Sequence, residues 1–370
     1  MIRRMGIIIC MLLVAAAPAQ KAALAGPSVE RMAGAMIMTG FRGTMPPESL
    51  LRAIRAGHVG SVILFDRDKK QGDPRNIESP AQVKALTSAL QKAAGGRLLI
   101  AVDQEGGKVS RLKAKRGFFP LPSAREMGGM EQGRVRDLGR KAGEEMRSLG
   151  INVDLAPVVD LQRSSISPGL GDMGRLFGSA PRQTARHALA FAEGLQKSGV
   201  IPVLKHFPGL GSASRDSHLD LPDVTRSWSR EELEPYAMAF AKGWHGMVLV
   251  AHVYNGRLDP ALPSSLSGRV VNDLLRTEMG WNGVVVSDDL QMGAVARTYG
   301  IKEMIRLAVL AGCDILLFGN NLDYHADLHE RAFNAMMELV REGSISAGRL
   351  MQSWRRIEKA KSRLFAGDNR

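Results

Sequence analysis

The sequence predicts an α/β chain folded as a single-domain (β/α)8 TIM-like barrel. Three observations predict it: eight short apolar runs, amphipathic stretches between them, and reactive side chains directly after several of the runs. The runs lie at 34–38, 61–65, 98–102, 152–156, 201–204, 247–251, 283–286 and 314–318. Each is too short for a helix and mostly apolar, as strands buried on both faces are. Between them, 81–94, 132–149, 182–197, 231–242, 268–279 and 302–311 carry apolar residues at three- and four-residue spacing, the period of amphipathic helices. Ser229 and Glu232 stand at the spacing of a capping box for one of these helices. Two further helices are expected at 324–341 and 347–365, with no later domain. Strand followed by helix, repeated without a break in composition, requires a parallel sheet, and eight such units close a barrel. A doubly wound open sheet is the alternative.

A barrel collects its reactive groups at the carboxyl ends of its strands. Asp103 follows Leu-Leu-Ile-Ala-Val, Lys205 and His206 follow Ile-Pro-Val-Leu, His252 follows Val-Leu-Val-Ala, and Asp288 follows Val-Val-Val-Ser. Lys205 and His206 should therefore emerge where a buried strand meets solvent. Beyond them, a loop of small residues from Gly209 to Ser214 leads to Asp216 and His218. A carboxylate two residues from an imidazole can orient the ring and keep it protonated, as a general acid requires. Taken alone, such a pair is more often a solvated loop.

The composition, 45% hydrophobic and 24% charged over 370 residues, is that of a globular protein able to bury a large core. Residues 1–25 differ. Arg3 and Arg4 precede an apolar run from Ile7 to Ala17, followed by small-residue cleavage sites after 19 or 25, the pattern of a secretory signal peptide. The run is shorter than the roughly 20 residues needed to span a bilayer. Export to the periplasm or medium is thus the expectation, an uncleaved membrane anchor the alternative, and 26–370 the barrel domain. The net charge of +13 stays strongly positive after loss of Arg3, Arg4 and Lys21, which suits attraction to an anionic polymer such as wall glycan. The positive charge is dispersed, without zinc spacing or aromatic-interleaved basic motifs, so no nucleic-acid partner is expected. Cys10 falls in the leader and Cys313 in an apolar segment, which leaves no internal disulfide and an inert thiol. The 19 methionines, Met36, Met38 and Met292 among them, are read as core filling.

Three stretches in order carry a resemblance: Asp103-Gln-Glu-Gly-Gly-Lys-Val-Ser-Arg111, Lys205-His-Phe-Pro-Gly209 with Asp216-Ser-His218, and Ser287-Asp-Asp-Leu-Gln-Met292. With Ile63-Leu-Phe65, Ala156-Pro-Val158, Arg175-Leu-Phe-Gly178, His252-Val253, Pro263-Ser-Ser-Leu-Ser267 and Leu274–Gly280, the chain resembles family 3 glycoside hydrolases over about Met32 to Gly319. In particular it is similar to their single-domain β-N-acetylglucosaminidases of the NagZ type.

The resemblance implies a retaining reaction with Asp288 as nucleophile and His218, partnered by Asp216, as proton donor and then base. It implies sugar binding by Asp103, Arg111, Arg175, Lys205 and His206, with His252 and Asp289 in support. It implies terminal β-linked GlcNAc on a small glycan or muropeptide as substrate, and neither metal nor organic cofactor. Family members often read Gly-His-Gly-Asp-Thr where this chain has Gly209-Leu-Gly-Ser-Ala213, and arginine where it has Lys108. Neither departure touches the implied catalytic groups. A phosphorylase or β-glucosidase of the same family, and a glycan-binding protein without turnover, are the rival functions.

Overall fold

The computed structural model describes residues 26–72, 74–163, 168–215 and 220–365. The predicted leader and the Asp216 and His218 pair lie outside them.

Among the described residues ten strands form in chain order: β1 (Ile37–Thr39), β2 (Ser61–Leu64), β3 (Leu99–Val102), β4 (Gln104–Gly106), β5 (Val109–Ser110), β6 (Val153–Asp154), β7 (Ile201–Phe207), β8 (Met247–Val250), β9 (Val285–Ser287) and β10 (Leu316–Phe318). Eight of them make one parallel sheet in the order β10-β1-β2-β3-β6-β7-β8-β9. A parallel bridge between Val286 and Ile315 joins its two edges, so the sheet closes. The predicted barrel is therefore present and the open sheet is not. Strands such as Leu99–Val102 are buried at every position, which is why the sequence shows apolar runs without alternation.

The closing seam has external support. Asp314 accepts from the Val285 N–H at 3.0 Å and pairs with Arg276 at 2.8 Å. Its other oxygen accepts from Ser353 at 2.6 Å and Arg356 at 3.1 Å, both on the helix Ala347–Phe365. The last helix thus braces the joint between β9 and β10.

Three local expectations are corrected, and one element is added. The first predicted run, 34–38, is a strand only from Ile37; Gly34 and Ala35 end a helix, Val29–Ala35, capped by Ser28, whose hydroxyl accepts the Arg31 N–H. Met, Ala and Gly favour no strand there, and pairing begins only at the β-branched Ile37. At the capping box, Ser229 makes no side-chain cap, and Glu232 turns inward to accept the Gly211 N–H at 3.2 Å. Strand β7 runs on to Phe207, so Lys205 and His206 lie inside it and are buried, where solvent contact was expected. A two-stranded antiparallel hairpin, β4 with β5, follows β3 and has no counterpart in the sequence reading. Its turn depends on Gly106, which has φ +92° and sits so close to the Pro122 carbonyl that a Cβ would collide with it.

Candidate active site

One cavity of about 730 Å³ opens at the carboxyl ends of the barrel strands, and Asp103, Arg111, Arg175, Lys205, His206, Asp288 and Asp289 all line it. Asp103 directly follows β3. The hairpin then doubles back and returns Arg111 to it, with Arg111 Nη2 3.4 Å from Asp103 Oδ2. Lys205 Nζ donates to Asp103 Oδ1 at 2.8 Å and lies 2.7 Å from Glu105 Oε1. Arg175, on the loop after β6, grips both oxygens of Glu105 at 2.7 Å each. Two carboxylates and three cations thus form one lattice along the cavity wall.

Glu105 was missed in the sequence reading. Residues at i and i+2 of an extended chain face the same side, so Asp103 in this wall already pointed to Glu105. Exposure separates their roles: the Asp103 side chain is 15% exposed and open to a ligand, whereas Glu105 is 3% exposed and braces the cations beneath. Burial raises both carboxyl pKa values, but the cations outweigh it. Lys205 and Arg111 hold Asp103 well below its ordinary value, and Arg175 and Lys205 bring Glu105 down to about 2. Burial likewise disfavours the charge on Lys205, yet Asp103 and Glu105 raise its pKa on balance. Next to this lattice, Asp154 is fully buried and its pKa rises well above the usual range, because burial outweighs the single N–H it accepts, from Gln104 at 2.9 Å.

His206 is fixed by a second carboxylate that sequence reasoning also missed. Its Nδ1 lies 2.6 Å from Asp160 Oδ2, and Arg175 Nη2 lies 3.4 Å from its Nε2. Because Arg175 can only donate, these partners select the tautomer with the proton on Nδ1 and an accepting Nε2.

Asp288 begins the loop after β9. Its N–H donates to Val250 O at 3.0 Å, and its Oδ1 accepts the Asp289 N–H at 2.9 Å. Asp289 Oδ1 accepts the N–H groups of Gln291 and Gly319, at 3.0 and 2.9 Å, and so ties this loop to β10. His252 is fully buried behind it, with Nδ1 2.6 Å from Ser265 Oγ and Nε2 2.9 Å from the Asp289 carbonyl. Met292, read as core filling, is buried yet also contributes to the cavity wall. Cys313 is fully buried and its thiol is pushed up to about 12, chiefly by burial, so it is no nucleophile.

The profile of the family described as Glycosyl hydrolase family 3 N terminal domain matches residues 29–360. The chain belongs to glycosyl hydrolase family 3. It is 37% identical over 295 residues to a protein named Beta-hexosaminidase from Alkalilimnicola ehrlichii, covering 77% of this chain and 80% of that one. It is 30% identical over 359 residues to an uncharacterized secreted glycosyl hydrolase of Arthroderma benhamiae, covering 94% and 98% of the two chains. Among solved structures, a family 3 beta-N-acetylglucosaminidase from a Paenibacillus species superposes with a TM-score of 0.84 at 34% identity; the match covers 92% of this chain but only 63% of that longer one. This glycoside hydrolase has, among the described residues, no helix long and apolar enough to cross a membrane and no cluster of three or more His, Cys, Asp or Glu side chains able to hold a metal ion.

Proposed function

We propose that the protein is a retaining exo-β-N-acetylglucosaminidase, exported through the leader 1–25, that removes terminal β-linked GlcNAc from peptidoglycan-derived muropeptides. The observation that carries this reading is a single one: Asp288, half-buried at the end of β9, shares one cavity wall with the Asp103, Lys205, Glu105 and Arg175 lattice. Such a wall can hold a pyranose by its hydroxyls while a carboxylate meets its anomeric carbon. Asp103 accepts from hydroxyls, Arg111, Arg175 and Lys205 donate, and the Nε2 of His206 accepts.

In the first step an Asp288 oxygen bonds to the anomeric carbon, the bond to the aglycone oxygen breaks, and His218 gives that oxygen its proton. In the second, water attacks the same carbon, neutral His218 takes its proton, and Asp288 leaves. Asp216 orients the imidazole. Export agrees with the secreted relative from Arthroderma benhamiae. Trapping with a 2-acetamido-2-deoxy-5-fluoroglycoside and locating the adduct by peptide mass tests the mechanism. An adduct on any residue but Asp288, or an inverted first product, defeats it. Formation of GlcNAc-1-phosphate in phosphate buffer would transfer the reading to a phosphorylase, and preference for an aryl β-glucoside would transfer it to a glucosidase.

His218→Ala is expected to slow glycosylation about 10²- to 10⁴-fold for substrates with poor leaving groups, and much less for activated aryl glycosides. Equal losses in a leaving-group series would remove His218 from the proton-donor role.

The mouth of the cavity bears on the aglycone. Arg67, Lys69, Lys108 and Arg215 are exposed there against the one exposed acid Asp172, among the described lining residues. This rim suits an aglycone that carries carboxylates, as muramyl peptides do. Replacing Arg67 and Lys69 together by alanine should raise KM for a muropeptide about fivefold at low salt, since exposed charges contribute up to about 1 kcal/mol each. The increase should fade in high salt and be small for a neutral aryl glycoside. A KM for the muropeptide that ignores both salt and substitution would remove the rim from substrate selection.

A further inference from the structure

The loop that follows β7 starts over a buried carboxyl group that the chemistry above does not use. Its stem is held at three of four successive residues. The Pro208 carbonyl accepts from Trp228 Nε1 at 3.0 Å, the Leu210 N–H donates to Asp160 Oδ1 at 2.8 Å, and the Gly211 N–H donates to Glu232 Oε2 at 3.2 Å. Glu232 is only 1% exposed. The backbone runs directly across it: Gly209 has φ +125°, and a Cβ there would strike the Glu232 carboxyl group. Asp160, the partner of Leu210, is also the carboxylate that orients His206. The stem therefore joins a proposed sugar ligand on β7 to Leu210 and Arg215, which line the cavity, and continues a few residues on to His218.

We propose that Glu232 is a positioning residue for the reaction, bracing the loop stem at Gly211 beside the Asp160 brace at Leu210 and so setting where Leu210 and Arg215 stand in the cavity wall. The proposal rests on the glycosidase reading for its kinetic consequences, but its structural consequence is independent of that reading. Burial first, and the neighbouring charge of Asp160 second, push Glu232 up to about 8, so it keeps its proton at neutral pH. The Ser212 hydroxyl, the Gly211 N–H and the charge of Arg163 pull it down without overcoming burial and Asp160. Tyr236 is fully buried with its own pKa raised further, and Arg163 is already paired with Glu231. As pH rises from the ordinary glutamate value towards about 8, the unfolded chain ionises before the folded one, so folded-state stability falls across that window. Above it, a second anion lies beside Asp160 under the stem, and the stem is the covering element that can move outward.

Amide hydrogen exchange in peptides spanning 207–215, followed from about pH 6 to about pH 9 for the wild type, Glu232→Gln and Glu232→Ala, reads this directly. In the wild type, protection beyond the intrinsic pH effect should fall about tenfold between about pH 7 and about pH 9, whereas in Glu232→Gln it should stay level. With an aryl β-GlcNAc glycoside, Glu232→Ala should lower kcat about 10- to 100-fold with KM moving less than about threefold, as misplacement without lost contact does. Glu232→Gln should restore most of that kcat and shift the alkaline limb of the pH–rate profile upward. Identical exchange profiles for wild type and Glu232→Gln overturn the proposal, as does a Glu232→Ala enzyme with an unaltered kcat. If Glu232→Ala does not fold, the comparison of wild type with Glu232→Gln decides alone. If the wild type turns over no glycoside, the glycosidase reading fails while the exchange result still stands or falls separately.

Discussion

Replacing Asp288 by alanine should lower kcat on the order of 10⁵-fold towards every GlcNAc glycoside, whatever the leaving group, because it removes the proposed nucleophile. The fold should hardly notice. Asp288 sits at a strand end, half-buried, and its main-chain N–H remains free to donate to Val250 O at 3.0 Å. Its side-chain oxygen accepts the Asp289 N–H, and the loop stays tied to β10 through Asp289 and Gly319 at 2.9 Å. Melting temperature should therefore shift little while turnover collapses. The decisive addition is azide. A small anion admitted to the space vacated by the carboxylate should attack the anomeric carbon from that face, release the aglycone, and yield the α-glycosyl azide with partial recovery of rate. That product reports the face from which Asp288 acted. A variant that is inactive and also substantially destabilised, with no azide product, would place Asp288 among the structural carboxylates.

The barrel was legible because parallel strands buried on both faces need uninterrupted apolar residues, and runs such as Leu99–Val102 and Met247–Val250 are apolar throughout. Their ends were legible for the same reason: an Asp or His terminating such a run marks where the sheet stops covering the chain. The hairpin of β4 and β5 was not, since Gln104–Gly106 and Val109–Ser110 are too short and too polar to show a period. Its existence depends on Gly106 meeting the Pro122 carbonyl, a tertiary contact. The carboxylates behind the site were lost in another way. Asp160 carries no motif that singles it out, and Ser229 with Glu232 matched a cap by spacing. Only the packing of the β7 loop over Glu232 turns that side chain inward, where it serves Gly211. Sequence thus exposed several groups that line the cavity, while the carboxylates packed behind them emerged from the fold.

The lattice behind Asp103 carries the second large expectation. Lys205→Met keeps most of the apolar stem but removes a charge that lies 2.8 Å from Asp103 and 2.7 Å from Glu105, with the lysine and Glu105 side chains each only 3% exposed. Taking one partner from a buried ionic group leaves the others uncompensated, at a cost of about 3–5 kcal/mol. For a chain of this length that corresponds to a fall in Tm of roughly 6 °C at neutral pH. Activity should fall as well, since Asp103, a proposed sugar ligand, loses the partner that fixes its orientation. The pH dependence separates charge from packing. In the wild type Glu105 is held down to about 2, so its contribution is full above the ordinary glutamate value and is lost as pH falls towards about 2. Without Lys205, both Asp103 and Glu105 take up protons at higher pH, and once neutral they no longer miss the ammonium group. The stability deficit of Lys205→Met should accordingly be widest above about pH 5 and close as the solution is acidified. Thermal unfolding of both proteins across that range measures it. A deficit that keeps its size at every pH would mean that Lys205 acts by filling space, and the lattice would then lose its electrostatic role.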